Sequence, residues 1–171
     1  NHGNLCMFSF QAIKHITAVD GGMLTLPNQN LYDRAKLLRW YGIDRSTHKV
    51  DFRCEEDISE WGFKFHMNDV SATIGMENLK SVNDIIMQHQ ENAEYYNKHL
   101  DNSPEIRILE REEDRESSYW IYSMLVDKKQ DFMKWMKECG IVVSQVHERN
   151  DIHSCVKEFK TLLPMLDEVI P

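Results

Sequence analysis

Two apolar runs near the start of the chain, residues 5–10 and 22–26, are separated by a stretch that carries one lysine and one Asp-Gly-Gly triplet; from Cys6 to Leu24 it reads CMFSFQAIKHITAVDGGML. The runs read as two short strands, close enough in sequence to pair around the lysine. Asp20-Gly21-Gly22 marks a tight turn, because glycine tolerates backbone angles that other residues avoid. Lys14 follows Phe8, Phe10 and Ile13 and precedes Ile16 and Val19. An ammonium group costs free energy to enclose, so two readings are open. Lys14 is either a strand-edge lysine beside a locally satisfied hydroxyl, or a desolvated amine able to attack aldehydes. Ser9, five residues earlier, offers a hydroxyl to an anion such as phosphate.

The chain of 171 residues is long enough for a domain of ordinary size with a sizeable core, and its 42% hydrophobic and 28% charged residues describe a soluble globular protein. A formal charge of -8 argues against nucleic acid and against an anionic membrane surface as partners. Cys6, Cys54, Cys139 and Cys155 lack CxxC or Cys/His ligand spacing and read as free thiols, with a disulfide pair left open. His147 and His153 lack the carboxylate or cysteine spacing of a metal site, so no metal is expected. Without an apolar run of membrane-span length or a charged-then-apolar leader, the expected location is cytoplasmic. Asn1-His2-Gly3-Asn4 runs at once into a strand without an initiating Met, so the chain is expected to be a fragment that begins inside a domain.

Leu31, Ala35, Leu38 and Tyr41 recur at helical spacing, and Gly42 supplies a stop. Residues 43–60 are polar and aperiodic, a loop of functional or disordered character. WGFKFHMND then sets Lys64 and His66 among aromatics and ends at Asn68 or Asp69, an N-cap for a helix carrying Val70, Ile74 and Leu79. A longer helix is predicted over 82–100, with Ile85, Ile86, His89, Ala93, Tyr96 and Leu100 along its stripe. The Asp101-Asn102-Ser103-Pro104 turn ends it, and the domain boundary is expected there, between 1–101 and 102–171. Beyond lie a short strand over 106–109, a charged loop over 110–116, and a β-α-β order: strand 119–126, helix 129–139 stopped by Gly140, strand 141–146. A polar loop over 147–150 and a short helix over 156–163 complete the chain.

Taken in order, FSFQAIKHITAVDGGML, LYDRAKLLRWYGIDR, WGFKFHMNDVSATIGMENL, SSYWIYSMLV and GIVVSQVHERNDIHS resemble successive blocks of the DegT/DnrJ/EryC1/StrS family of sugar aminotransferases. The resemblance implies an α/β fold: the C-terminal part of an aspartate-aminotransferase-like (fold type I) transferase dependent on pyridoxal 5'-phosphate, with the end of the large domain followed by a small α/β domain. It implies transfer of an amino group, from glutamate, to a nucleotide-linked keto-sugar, in a homodimer with a shared site. Lys14 matches the Schiff-base lysine, which also moves the proton at the reacting carbon. Ser9 matches the serine that bonds the cofactor phosphate. Lys64 stands where many members place an asparagine that reaches the partner's phosphate; it is either a point charge for that phosphate or a solvated lysine between two buried aromatics, Phe63 and Phe65.

Gln11 holds a position often occupied by a substrate-contacting histidine. His147, Arg149 and Asn150 match the block facing the sugar nucleotide, where a donor-rich loop suits a diphosphate and sugar hydroxyls, with solvated polarity the simpler reading for Arg149. The family's pyridinium-binding Asp, stacking aromatic and Gly-Thr or Gly-Ser phosphate site lie upstream of the lysine, and Asp20, which follows it, takes none of those roles. Two other readings stand beside the aminotransferase: a non-catalytic dimerisation or sugar-nucleotide-binding remnant, and a pyridoxal-phosphate-dependent sugar dehydratase. Dehydratases of the family carry histidine at the lysine position, so Lys14 favours transfer, with His15 next to it.

Overall fold

The lysine stretch forms the hairpin expected of it. Strand β1 (Cys6–Ser9) pairs antiparallel with β2 (Gly22–Thr25), Cys6 opposite Thr25 and Ser9 opposite Gly22. A side chain at Gly22 would place its Cβ 2.7 Å from the Phe8 carbonyl, so the backbones approach as only glycine permits. This structure is a computed structural model and describes residues 3–46 and 57–170. The chain divides into two compact units, Asn1–Ile86 and Met87–Pro171.

In the first unit, Asn28 caps helix α1 (Gln29–Arg39) by accepting the Leu31 N–H at 3.0 Å. The helix stops where Gly42, at φ +82°, returns its N–H to Leu37. Much of the loop expected over 43–60 lies outside the described residues. Past it, residues 61–65 run back along the end of α1, with Phe63 N–H donating to Leu38 at 2.7 Å, Tyr41 N–H to Phe63 at 2.9 Å and Phe65 N–H to Arg39 at 3.0 Å. Asn68 caps α2 (Asp69–Asn78) as the sequence predicts, accepting the Ser71 N–H at 2.9 Å. A single 3-10 turn, Leu79–Ser81, leads into α3 (Val82–Leu100), whose bounds are those read from its apolar stripe. The division between units falls inside α3, at Ile86, whereas the turn at Asp101 ends the helix.

In the second unit, β3 (Ile106–Ile108) pairs antiparallel with β4 (Met124–Val126). The strand predicted over 119–126 is reduced to those last three residues. Tyr119 takes a left-handed φ of +47°, and side chains of α3 replace a strand ladder: His89 Nδ1 meets the Tyr119 carbonyl at 2.8 Å and Gln90 Nε2 donates to the Ser117 carbonyl at 3.1 Å. Tyr122 donates its hydroxyl to Asn97 Oδ1 at 2.8 Å. Burial of this phenol, with Tyr119 close by, raises its pKa.

Helix α4 (Lys129–Glu138) ends at Gly140, with Gly140 N–H bonded to Lys137 and Ile141 N–H to Met136, closing the last turn from both sides. The strand predicted over 141–146 is not formed, because β3 and β4 pair only with each other among the described residues and offer these residues no ladder. The helix predicted over 156–163 is replaced by a 3-10 segment, Ser154–Phe159, and by α5 (Pro164–Val169), where proline takes the first helical position.

The expectation of a sizeable core is also corrected. Among the described residues, the hydrophobic side chains that are fully buried are Ala18 and Ala93, while Met7 is 87% and Val142 97% exposed. On the strands, Met7 is exposed because a two-stranded ribbon has two faces and covers neither by itself. Cys6, Cys139 and Cys155 are free thiols, and no helix among the described residues is long and apolar enough to cross a membrane.

Candidate functional site

Beyond the Ser9–Gly22 pair, Phe10 N–H donates to Gly21 at 2.9 Å, and the Phe10 carbonyl then accepts the Ala18 N–H at 2.8 Å. These bonds draw residues 10–18 into a closed loop with Lys14 in its middle. Inside it, Lys14 N–H donates to the Gln11 carbonyl at 2.9 Å, and Gln11 N–H approaches Ser9 Oγ at 3.4 Å. Ser9, Gln11 and Lys14 are thus linked through consecutive backbone contacts. Lys14 is half-buried, whereas Ser9 and Gln11 are exposed.

The far side of the loop is anchored to α2. Asn78 Nδ2 donates to the Thr17 carbonyl at 2.8 Å, and Ala18, fully buried, lies so near Gly75 that a Cβ there would sit 3.2 Å from its own. Val19 follows at φ +68°, a left-handed conformation that strains a β-branched residue by about 1–3 kcal/mol. Its N–H is held by Thr17 Oγ1 at 3.1 Å, and Asp20 accepts the Gly21 N–H at 3.0 Å. Pattern reading passed over the contacts of Asn78 and Gly75 with this loop, since nothing local to residue 78 signals a bond to residue 17.

Lys64 is exposed, and its backbone forms a bridge with Trp40 at the end of α1. The reading of Phe63 and Phe65 as buried neighbours is corrected. They are 42% and 73% exposed and stack on each other with ring centroids 4.7 Å apart, as alternate residues of an extended segment can. Met67, three residues after Lys64, reaches the glycine turn, where a Cβ on Gly21 would lie 2.8 Å from its sulfur. The segment bearing Lys64 therefore runs from the end of α1 to the hairpin that carries Lys14.

In the second unit, His147 and Asn150 are exposed, and Asn150 opens the 3-10 turn Asn150–Ile152. Gln145 braces this loop by donating to the His147 carbonyl at 2.8 Å while accepting from Lys129 Nζ at 2.9 Å. Arg149, between the two candidates, is neither solvated nor available. Its side chain is 12% exposed and donates from Nε and Nη2 to Asp151 at 2.9 and 2.7 Å, and from Nη1 to Asp167 on α5. Hydrogen bonds from Arg149 hold the Asp151 carboxyl below the usual carboxylate range, and both carboxylates push the guanidinium pKa up. Among the described residues, no cluster of His, Cys, Asp and Glu could hold a metal ion.

The sequence profile of the DegT/DnrJ/EryC1/StrS aminotransferase family matches residues 1–162. The chain belongs to this family. The resemblance of its ordered blocks is borne out, and the family's solved structures share its fold. AtS13 from Actinomadura melliaura is 47% identical and superposes with a TM-score of 0.92 over 99% of this chain and 45% of its own. The sugar aminotransferase CalS13 from Micromonospora echinospora is 40% identical, with a TM-score of 0.93 over the same shares. A curated relative, the UDP-4-amino-4,6-dideoxy-N-acetyl-beta-L-altrosamine transaminase of Campylobacter jejuni, is 28% identical over 149 residues, which cover 84% of this chain and 38% of that protein. The chain thus spans less than half the length of these family members. The expected α/β architecture, of aspartate-aminotransferase-like (fold type I) type, is the one found.

Proposed function

We propose that this chain carries the lysine-bearing part of a pyridoxal 5'-phosphate-dependent aminotransferase that moves an amino group, with glutamate as donor, to a nucleotide-linked keto-sugar. The observation that carries this reading is the half-buried Lys14, held in a loop closed on Phe10 and joined through Gln11 to the Ser9 hydroxyl. The names of the relatives support it: one is a sugar aminotransferase and another a transaminase of a UDP-linked amino sugar. Lysine at position 14, where family dehydratases carry histidine, favours transfer over deoxygenation.

The residues present suit the cofactor. Lys14 supplies a primary amine, and Ser9 Oγ, exposed and engaged only at 3.4 Å by the Gln11 amide, keeps its own proton to donate to a phosphate oxygen. Lys64 would add a point charge for the cofactor phosphate held by the other copy of the homodimer. When bound, pyridoxal phosphate supplies an aldehyde for primary amines and a ring that accepts an electron pair as a proton leaves the adjacent carbon. Unprotonated Lys14 Nζ is the group of this chain that can bond an aldehyde carbon and accept and return a proton. Gln11, His147 and Asn150 are the residues assigned to the sugar on this reading, each with a side chain able to hydrogen-bond. Asp20 stays outside the chemistry, its carboxylate turned to the Gly21 amide. Residues 1–101 belong, on this reading, to the large cofactor domain and 102–171 to the small one, in a cytoplasmic homodimer whose site draws on both copies.

The test is an absorbance spectrum with pyridoxal phosphate, made on this chain and on a version lengthened to the size of its relatives, followed by borohydride reduction and peptide mapping. A visible band trapped at Lys14, and lost in Lys14→Ala, is the expected result. No band with either version, or label scattered over exposed lysines, would overturn the proposal.

A further inference from the structure

Loop 10–18 is closed on one side by main chain alone, through Phe10, and on the other by a side chain sixty-one positions away. We propose that Asn78 is a positioning residue for Lys14, its side-chain amide fixing the downstream arm of the lysine loop; this rests on the reading of Lys14 given above. A carbonyl can only accept, so the Asn78 amide nitrogen must face Thr17, and it does so at 2.8 Å in a half-buried setting.

The contact is local to the arm that matters. Thr17 is three residues from Lys14, and the next residue, Ala18, is fully buried against Gly75, one helical turn before Asn78 on α2. Two positions on one helix therefore grip two consecutive loop residues, one by a hydrogen bond and one by close packing. Val19, immediately after, holds a left-handed conformation, which persists only where its surroundings impose it. Without the amide, the Thr17 carbonyl loses its donor, the arm is free to relax, and Lys14 is no longer presented in one place.

Asn78→Asp keeps the size of the side chain and removes the donor, while Asn78→Gln keeps the donor on a longer arm. Both are compared with wild type in the version that shows the pyridoxal phosphate band, where circular dichroism shows each variant folded. The readout is the amount of borohydride-trapped label on Lys14 relative to that on the exposed Lys80, measured well below the melting temperature of each variant so that the unfolded fraction does not contribute. Asn78→Asp is expected to lower the ratio about fivefold, the weight of one hydrogen bond, and Asn78→Gln to restore part of it. An unchanged ratio in Asn78→Asp would overturn the inference, whereas absence of Lys14 labelling in wild type would overturn the functional reading on which it rests. Should Asn78→Asp not fold, side-chain amide exchange in the wild-type chain decides the matter. Slow exchange of the Asn78 NH2 is expected, and exchange at the rate of a free amide would overturn the inference.

Discussion

Replacing Gly42 by alanine separates two costs that usually travel together. Gly42 and Gly140 both end helices in the left-handed region, at φ +82° and +77°. Alanine there costs about 1 kcal/mol in backbone strain alone. At Gly140 nothing lies within 4 Å of the added Cβ, so that strain is the whole effect. At Gly42 the Cβ would run into the Glu60 carbonyl oxygen, which is main chain and cannot swing away as a side chain would. The segment that follows must retreat from the end of α1, and the bonds Tyr41 to Phe63, Phe63 to Leu38 and Phe65 to Arg39 are lost with it.

At about 1 kcal/mol net per bond these add about 3 kcal/mol, so Gly42→Ala costs about 4 kcal/mol against about 1 for Gly140→Ala. The excess corresponds to roughly a hundredfold more opening of this region. Amide hydrogen exchange reads it residue by residue: protection of the Tyr41, Phe63 and Phe65 amides should fall about a hundredfold in Gly42→Ala and stay unchanged in Gly140→Ala. If Gly42→Ala perturbs its surroundings no more than Gly140→Ala does, the packing of residues 61–65 on α1 is wrong.

Acid should loosen the second unit through Asp151. Arg149 holds its folded pKa below the unfolded value, so its contribution is present above the unfolded value and fades as pH falls through the folded one. Melting curves from neutral to acid pH should be flatter in Asp151→Asn, and parallel losses in both proteins would refute this. Asn97→Ala removes the acceptor for the Tyr122 hydroxyl and should cost about 1 kcal/mol, whereas Tyr122→Phe combined with it should add little further, as a double-mutant cycle would show. Given the exposure of Met7 at 87%, Trp61 at 73% and Phe65 at 73%, the isolated chain should bind a hydrophobic dye such as ANS while keeping its helical circular dichroism. Absence of dye fluorescence would show that these faces are covered in solution.

What the sequence disclosed was what depends on neighbours along the chain. Asn68 as a cap, Gly42 and Gly140 as stops, the apolar stripe from Val82 to Leu100 and the turn after Lys14 all express conformational preferences within a few residues. Alternating apolar residues over 119–126 and 141–146 looked equally strand-like, but a strand exists only where a partner does. His89 on α3 took the Tyr119 carbonyl at the start of the first, with Gln90 on Ser117 just before it, and β3 and β4 left no place for the second. For the same reason the partners of the site residues were hidden: Thr17 meets Asn78, and Arg149 meets Asp167, across separations that no local pattern encodes. The bareness of the apolar residues was hidden too, because composition counts hydrophobic side chains without saying what will cover them.

The clasp around Arg149 bears on what the neighbouring loop can recognise. Asp151 and Asp167 hold a guanidinium whose three nitrogens are already bonded, while Glu148 accepts the Arg149 main-chain N–H. Engaged in this way, Arg149 is not left as a two-pronged clamp for an incoming phosphate. What the loop leaves exposed at His147 and Asn150 are a ring and an amide with hydrogen-bonding groups, suited to telling one hydroxyl arrangement from another. In the proposed aminotransferase, this stretch would read the stereochemistry of the sugar, and the anionic part of a nucleotide sugar would draw its countercharge from residues other than Arg149.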